Sequence, residues 1–278
     1  MNIAISFPSL GNWTINPPDT FQVFGFTVHW YGVIIACGFL LAVLYCCHIC
    51  QPRLGINPDT VIDVLLFAVP IGILCARAYY VIFHFDLYAD NLISVFYIRN
   101  GGLAIYGGII GSLLTAFIFC KIRKLSPGAL FDLGAMGLLI GQSIGRWGNF
   151  INREAFGTSA HVETWFLRMG LTDLSTGVTT YVHPTFLYES VWNAIGFLFL
   201  HQFVKRGKRR YDGQVFLLYL AWYGLGRIWI EGLRTDSLYL FNTGIRVSQL
   251  LSILLFFGAL IALFCLRHKQ SDLTQTEE

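Results

Sequence analysis

Seven apolar stretches, at roughly 24–49, 60–85, 102–120, 128–147, 184–204, 213–231 and 246–266, leave this chain little choice of fold. Each approaches the ~20 residues that cross ~30 Å of hydrocarbon as a helix. The expectation is an all-α, polytopic bundle of about seven transmembrane helices, built as one integral membrane domain over residues 1–278. Composition agrees, because 13% charged residues is about half of what a soluble domain carries.

Orientation follows from the basic residues. Arg53, then Lys121, Arg123 and Lys124, then Lys205, Arg206, Lys208, Arg209 and Arg210, then Arg267 and Lys269 fall on alternate connections. Short cytoplasmic connections collect Lys and Arg, which predicts an extracytoplasmic N-terminus and a cytoplasmic C-terminus. Residues 1–23 hold no Lys or Arg, so a cleavable signal peptide with a basic leading region is not expected. The net charge of +3 reflects this topology signal and calls for no nucleic-acid partner. Two segments stand apart from the spans: an extracytoplasmic insertion at about 150–183 and a polar tail at about 269–278, expected to be disordered. The seven cysteines lie in or beside the expected spans, and Cys46-Cys47-x-x-Cys50 has no second ligand pair, so neither disulfides nor a metal site is expected.

Polarity gathers at the outer ends of the spans. Gly145-Arg146-Trp147-Gly148-Asn149-Phe150-Ile151-Asn152-Arg153-Glu154-Ala155-Phe156-Gly157 places arginines, asparagines and a carboxylate beside lipid, where ionisable groups are costly and mark a polar cavity or substrate path. Gln142, Arg146 and Asn149 share a helix face, next to a small-residue face of Gly137, Gly141 and Gly145. The competing reading makes Arg146 an interfacial anchor that snorkels to headgroups. Tyr223, Arg227, Glu231 and Arg234 repeat the theme at spacings of four, four and three; Glu231 can pair with either arginine, and a purely structural salt bridge is the alternative there. Two arginine stripes suit a phosphodiester, whose oxygens match the planar guanidinium fork. Tyr106, inside Gly101-Gly102-Leu103-Ala104-Ile105-Tyr106-Gly107-Gly108, is either functional or an aromatic-belt residue, and Asp132 reads as structural. A transporter would spread polarity along the whole depth and often show a repeat; here polarity sits at one end.

Together these segments resemble the bacterial prolipoprotein diacylglyceryl transferases. The resemblance covers nearly the whole chain and rests on Gly145 to Gly157, His29-Trp30-Tyr31-Gly32, Gly101-Gly102 with Gly107-Gly108, His183-Pro184-Thr185-x-x-Tyr188-Glu189, and Tyr223-x-x-x-Arg227-x-x-x-Glu231-x-x-Arg234. It implies transfer of a diacylglyceryl group from phosphatidylglycerol to the lipobox cysteine thiol of a preprolipoprotein, with release of glycerol phosphate, at the outer leaflet of the bacterial plasma membrane. It implies no cofactor. Carried onto this chain, the family's important positions are Tyr31, Arg146, Asn149, Glu154, Gly157, Arg227 and Glu231, with Asp132, Asn152 and Arg234 as weaker matches. Arg146 and Arg227 would hold the phosphodiester, Asn149, Asn152, Gly157 and Arg234 would contribute to lipid binding, and Glu154 or Glu231 would orient an arginine. Many members have histidine where this chain has Tyr106, so the resemblance leaves the proton acceptor open. A rival enzyme would use the same arginine clamp on phosphatidylglycerol or a polyprenyl phosphate with a different acceptor.

Overall fold

The computed structural model describes residues 2–11, 13–98, 101–160, 162–237, 239 and 243–276, with residues 268–276 by backbone alone. It is 66% helical. In chain order the main elements are β1 (Ile3–Ser6), β2 (Thr14–Ile15), β3 (Thr20–Val23), β4 (Phe26–His29), α1 (Trp30–Leu54), α2 (Pro58–Phe83), α3 (Ile105–Arg123), α4 (Pro127–Asn152), β5 (Met169–Asp173), β6 (Thr179–Val182), α5 (Thr185–Lys205), α6 (Gln214–Leu233) and α7 (Val247–Thr276). Among the described residues, five helices are long and apolar enough to cross a membrane: α1, α2, α3, α4 and the Val247–Arg267 part of α7. The other two have the length, 21 residues in α5 and 20 in α6. Their apolar character is diluted by Glu189 and Asn193 in α5 and by Arg227 and Glu231 in α6.

The all-α expectation needs correction, because the segment before α1 and the segment between α4 and α5 fold into sheet. The first apolar stretch, expected from about residue 24, becomes helix only at Trp30; before it, β3 and β4 form a hairpin whose turn places Phe24 and Gly25 at positive φ. The expected insertion at about 150–183 starts later, since α4 continues to Asn152, and it contains β5 and β6. These join the N-terminal strands in an antiparallel sheet of order β2-β1-β5-β6.

By contacts the chain divides into two compact units. The first comprises Met1–Tyr45, Gly134–Arg210 and Gln214–Glu278. Here the sheet packs onto the ends of two helices. Ile5, Phe7, Met169, Leu171 and Val182 form a buried cluster with Phe186 of α5, and Phe150 of α4 lies 4.7 Å from the Phe186 ring. Arg153 ties the N-terminal segment to the end of α4. Its buried guanidinium donates to Ile3 O at 2.8 Å and to Asn16 Oδ1 and Pro17 O at 2.6 Å, from a backbone in the left-handed region. The expected small-residue face is used only in part. A Cβ on Gly145 would meet Ile35 Cδ1 at 3.0 Å and one on Gly148 would meet the Tyr31 ring at 2.6 Å, so α1 packs there, whereas a Cβ on Gly141 would meet nothing within 4 Å. Helices α5 and α6 are clasped by two indoles: Trp192 Nε1 donates to Trp222 O and Trp222 Nε1 to Trp192 O, both at 3.0 Å.

The second unit comprises Cys46–Leu133 and Tyr211–Gly213. The glycines of the third span work by close approach. A Cβ on Gly107 would lie 2.4 Å from Cys75 O, and one on Gly111 would lie 2.5 Å from Cys75 Cβ, so α3 packs directly on the α2 backbone. Gly101 and Gly102 precede α3 at positive φ, and buried Arg77 holds this connection by donating to the carbonyls of Ser94, Val95, Gly101 and Gly102. Asp132 is fully buried and accepts the Gly213 N–H at 2.9 Å, the structural role expected of it.

Candidate active site

Three helices of the first unit bring charged side chains together. Arg146 lies on the last turns of α4, Glu189 on the first turns of α5, and Arg227 and Glu231 one turn apart on α6. Glu189 is the bridge. Its Oε1 is 2.6 Å from Arg146 Nη2, and its Oε2 is 3.2 Å from Arg227 Nη1. Arg227 Nη2 donates in turn to Glu231 Oε2, and Ser237 Oγ donates to the other oxygen of Glu231 at 2.9 Å. On the opposite flank, Arg146 Nη1 donates to Asn149 Oδ1 at 3.1 Å. Asn149 Nδ2 donates to Glu154 Oε1 at 2.9 Å, and Asn152 Nδ2 reaches the same oxygen at 3.3 Å. The result is one chain of polar contacts from Glu154 to Ser237.

Burial grades along this chain. The Glu189 and Glu231 side chains are 4% and 3% exposed, Arg227 is 12% and Arg146 is 23%, whereas Glu154 is exposed. Both carboxylates are thus withdrawn, and Arg146 is the more accessible of the two cations. A guanidinium shared between a carboxylate and an amide keeps a fixed plane, and one carboxylate bridging two guanidiniums keeps both aimed at one locus. Such a pair can exchange a carboxylate contact for an anionic ligand without unpairing entirely, because Arg227 retains Glu231 and Arg146 retains Asn149.

Arg234 lies just beyond α6 and pairs with Asp236, through Nε to Oδ1 at 2.9 Å and Nη2 to Oδ2 at 2.7 Å. That hydrogen bond holds Asp236 below the usual carboxylate range. Burial lowers the Arg234 pKa, but the bond to Asp236 and its charge outweigh this and leave it raised. Of the two options for Glu231, its side chain takes Arg227, and Arg246 at the entry to α7 donates to its backbone carbonyl.

Gly157 bridges Arg234 in a short antiparallel contact and donates its N–H to His183 O at 2.9 Å. A Cβ there would meet His183 Cβ at 2.7 Å, so glycine permits the close approach of the insertion to the start of α5. Thr185 Oγ1, donating to Ala155 O, closes the same junction. Burial pushes His183 below the ordinary histidine range. Tyr31, on the first turn of α1, lays its ring over Gly148, between Arg146 and Asn149 in sequence, and is 37% exposed. Tyr106 is half-buried on the first turn of α3 and belongs to the second unit.

Residues 18–265 match the family model described as prolipoprotein diacylglyceryl transferase. The chain belongs to that family. It is similar to the phosphatidylglycerol–prolipoprotein diacylglyceryl transferase of Enterococcus faecalis, 46% identical over 244 residues and covering 87% of both chains. It is similar also to the transferases of that name from Bacillus licheniformis, 43% identical over 96% of this chain and 99% of the relative, and Limosilactobacillus reuteri, 45% identical over 91% and 92%. Within this diacylglyceryl transferase, Glu189 is the residue to which sequence reasoning assigned no role. Its one signal is a carboxylate one turn inside an apolar stretch, at the end of the His183 to Glu189 motif.

Proposed function

We propose that this protein transfers the diacylglyceryl group of phosphatidylglycerol to the cysteine thiol of a prolipoprotein, the first step of lipoprotein maturation. Family membership gives the reaction class, and the Arg146–Glu189–Arg227 bridge is the observation that carries the site. In this reading the phosphodiester docks at Arg146 and Arg227. The thiolate sulfur attacks the terminal glyceryl carbon, a sulfur–carbon bond forms and the carbon–oxygen bond to phosphate breaks. Glycerol phosphate leaves with the electron pair, and the thiol proton balances its new negative charge.

Each group then has a physical task. The guanidiniums draw charge onto the departing phosphate and favour the thiolate, whose unperturbed pKa near 8.5 falls beside positive charge. Glu189 and Glu231 hold the guanidiniums in register, and Glu154 does so at one remove through Asn149, which with Asn152 offers amides to headgroup oxygens. Tyr31 borders the bound lipid. Gly157 and Arg234 build the wall between the insertion and α6. Tyr106 is kept as a candidate proton relay. The anionic leaving group needs little acid assistance, so positioning and electrostatics carry most of the acceleration.

The alternating basic connections support a multi-pass protein of the bacterial plasma membrane, with α5 and α6 as spans beside the five apolar ones, the N-terminus outside and the site at the outer leaflet. The test is to incubate the purified protein with phosphatidylglycerol and a lipobox peptide, with mass spectrometry for the thioether and an aqueous assay for glycerol phosphate. Both products, absent when the peptide cysteine is replaced by serine, are expected. Lipid-bound, folded protein that yields neither would transfer the arginine clamp to a different acceptor.

A further inference from the structure

Just beneath the ion pairs, two buried amide atoms have no partner among the described residues: Gln142 Oε1 and Asn193 Nδ2. Their register is what draws them together. Gln142 precedes Arg146 by one turn on α4, and Asn193 follows Glu189 by one turn on α5. The end of α4 and the start of α5 both carry the same sheet, so these two steps lead in the same direction, away from the sheet and into the helices. The helices touch at this level, where Ser143 Oγ donates to Ser190 O at 2.9 Å and Ser190 Oγ donates to Ser143 O at 2.8 Å. Helix α6 joins them through Tyr219, whose hydroxyl accepts from Gln142 Nε2 at 2.9 Å.

Unpaired buried amides are costly, and an apolar residue of similar volume at Asn193, which is 1% exposed, would avoid the cost. We propose that Gln142 and Asn193 form a second polar subsite that holds the ester carbonyls of the diacylglyceryl group while the arginines hold its phosphate. The proposal deepens the transferase reading and rests on it. In a phospholipid the ester carbonyls are separated from phosphorus by the glycerol carbons, a step of ~5 Å, close to one helical turn. Ester carbonyls only accept hydrogen bonds, so they call for donors. The Asn193 NH2 group is one. A half-turn of the Gln142 amide lets the Tyr219 hydroxyl donate to Oε1 and frees the Gln142 NH2 group as the second. Two donors match two esters.

The experiment compares phosphatidylglycerol with its dialkyl-ether analogue of equal chain length, which keeps the phosphate and lacks both carbonyls. The wild-type protein is expected to favour the diester by about 3–10-fold in kcat/KM, the range of a net hydrogen bond. In Asn193→Leu and Asn193→Ala, which keep the Gln142 donor, that ratio should fall by about 2–3-fold, while the lipid-free variants keep or raise their thermal stability, since the lost amide nitrogen had no partner among the described residues. Equal use of both lipids by the wild type, a ratio preserved in the variants, or a loss of stability in both would overturn the subsite. Wild-type protein that makes no thioether from either lipid would overturn the transferase reading itself, and the subsite with it.

Discussion

Replacing Glu189 with glutamine tests the centre of the site directly. The change keeps the shape and one acceptor oxygen, but removes the charge that two guanidiniums share at 2.6 and 3.2 Å. Breaking a buried ion pair by removing one partner costs about 3–5 kcal/mol. The lower end applies here, because Arg146 is 23% exposed and keeps Asn149, and Arg227 keeps Glu231. About 3 kcal/mol lost from the alignment of the guanidiniums in the transition state corresponds to roughly a 100-fold fall in kcat/KM, at 1.36 kcal/mol per decade. The direction of the individual constants is also set. Glu189 competes with the phosphodiester for the same nitrogens, so the variant should bind phosphatidylglycerol at least as well as the wild type, and the loss should appear in kcat. Thioether formation from a lipobox peptide, measured over a series of lipid concentrations in membrane-inserted protein, reads both. Activity within threefold of wild type, or a raised KM at unchanged kcat, would refute the reasoning.

Arg146→Lys should reduce turnover nearly as far as Arg146→Ala, because an ammonium cannot reach Glu189 and Asn149 at once in place of two separate guanidinium nitrogens; the same assay on inserted protein decides it. Gly157→Ala should lower stability by about 1–3 kcal/mol, since its Cβ would sit 2.7 Å from His183 Cβ, and thermal unfolding measures the loss. Stability should also fall on acidification in two windows. His183 titrates lower when folded, so the folded state favours its neutral form, and that contribution is full above pH ~6.5 and declines below it; Asp236, held low by Arg234, contributes above pH ~3.9 and is lost as pH drops through its folded value. Unfolding followed against pH should show the upper window vanish in His183→Gln. For Tyr106→His, a shifted pH optimum of transfer is the expected result, and an unchanged profile would assign the residue to packing.

The helical part of the fold was legible because it is written locally. Twenty-residue apolar runs and glycines at helical spacing need no partner to be recognised, and α2 to α6 begin and end within a few residues of the expected spans. The sheet was not. Strand β1 pairs with β5 across more than 150 positions, with Ile3 opposite Asp173, and the strands are only two to five residues long. Strand β4 fails for another reason: Phe24 and Phe26 extend the apolar run of α1 backwards, so hydropathy alone cannot see that the Phe24-Gly25 turn and the strand after it precede the helix.

The candidate site divides along the same line. Residues on one helix announced themselves: Arg146 with Asn149, and Arg227 with Glu231, stand at i,i+3 and i,i+4 and meet as the spacing requires. What spacing cannot carry is the identity of a partner on another helix. Glu189 sits 43 positions from Arg146 and 38 from Arg227, and within its own helix it has no charged neighbour to suggest a pairing. The physical clue was still present as an accounting problem. Two arginines inside the apolar stretches of different helices require compensating charge, Glu231 can serve only one of them fully, and Glu189 is the carboxylate that the apolar stretch of α5 leaves at the right end. Arg234 shows the converse error, since it appears on the α6 stripe by spacing yet turns to Asp236 once the helix has ended at Leu233. Helical spacing therefore assigns partners only while the helix lasts, and beyond its end the assignment passes to charge balance.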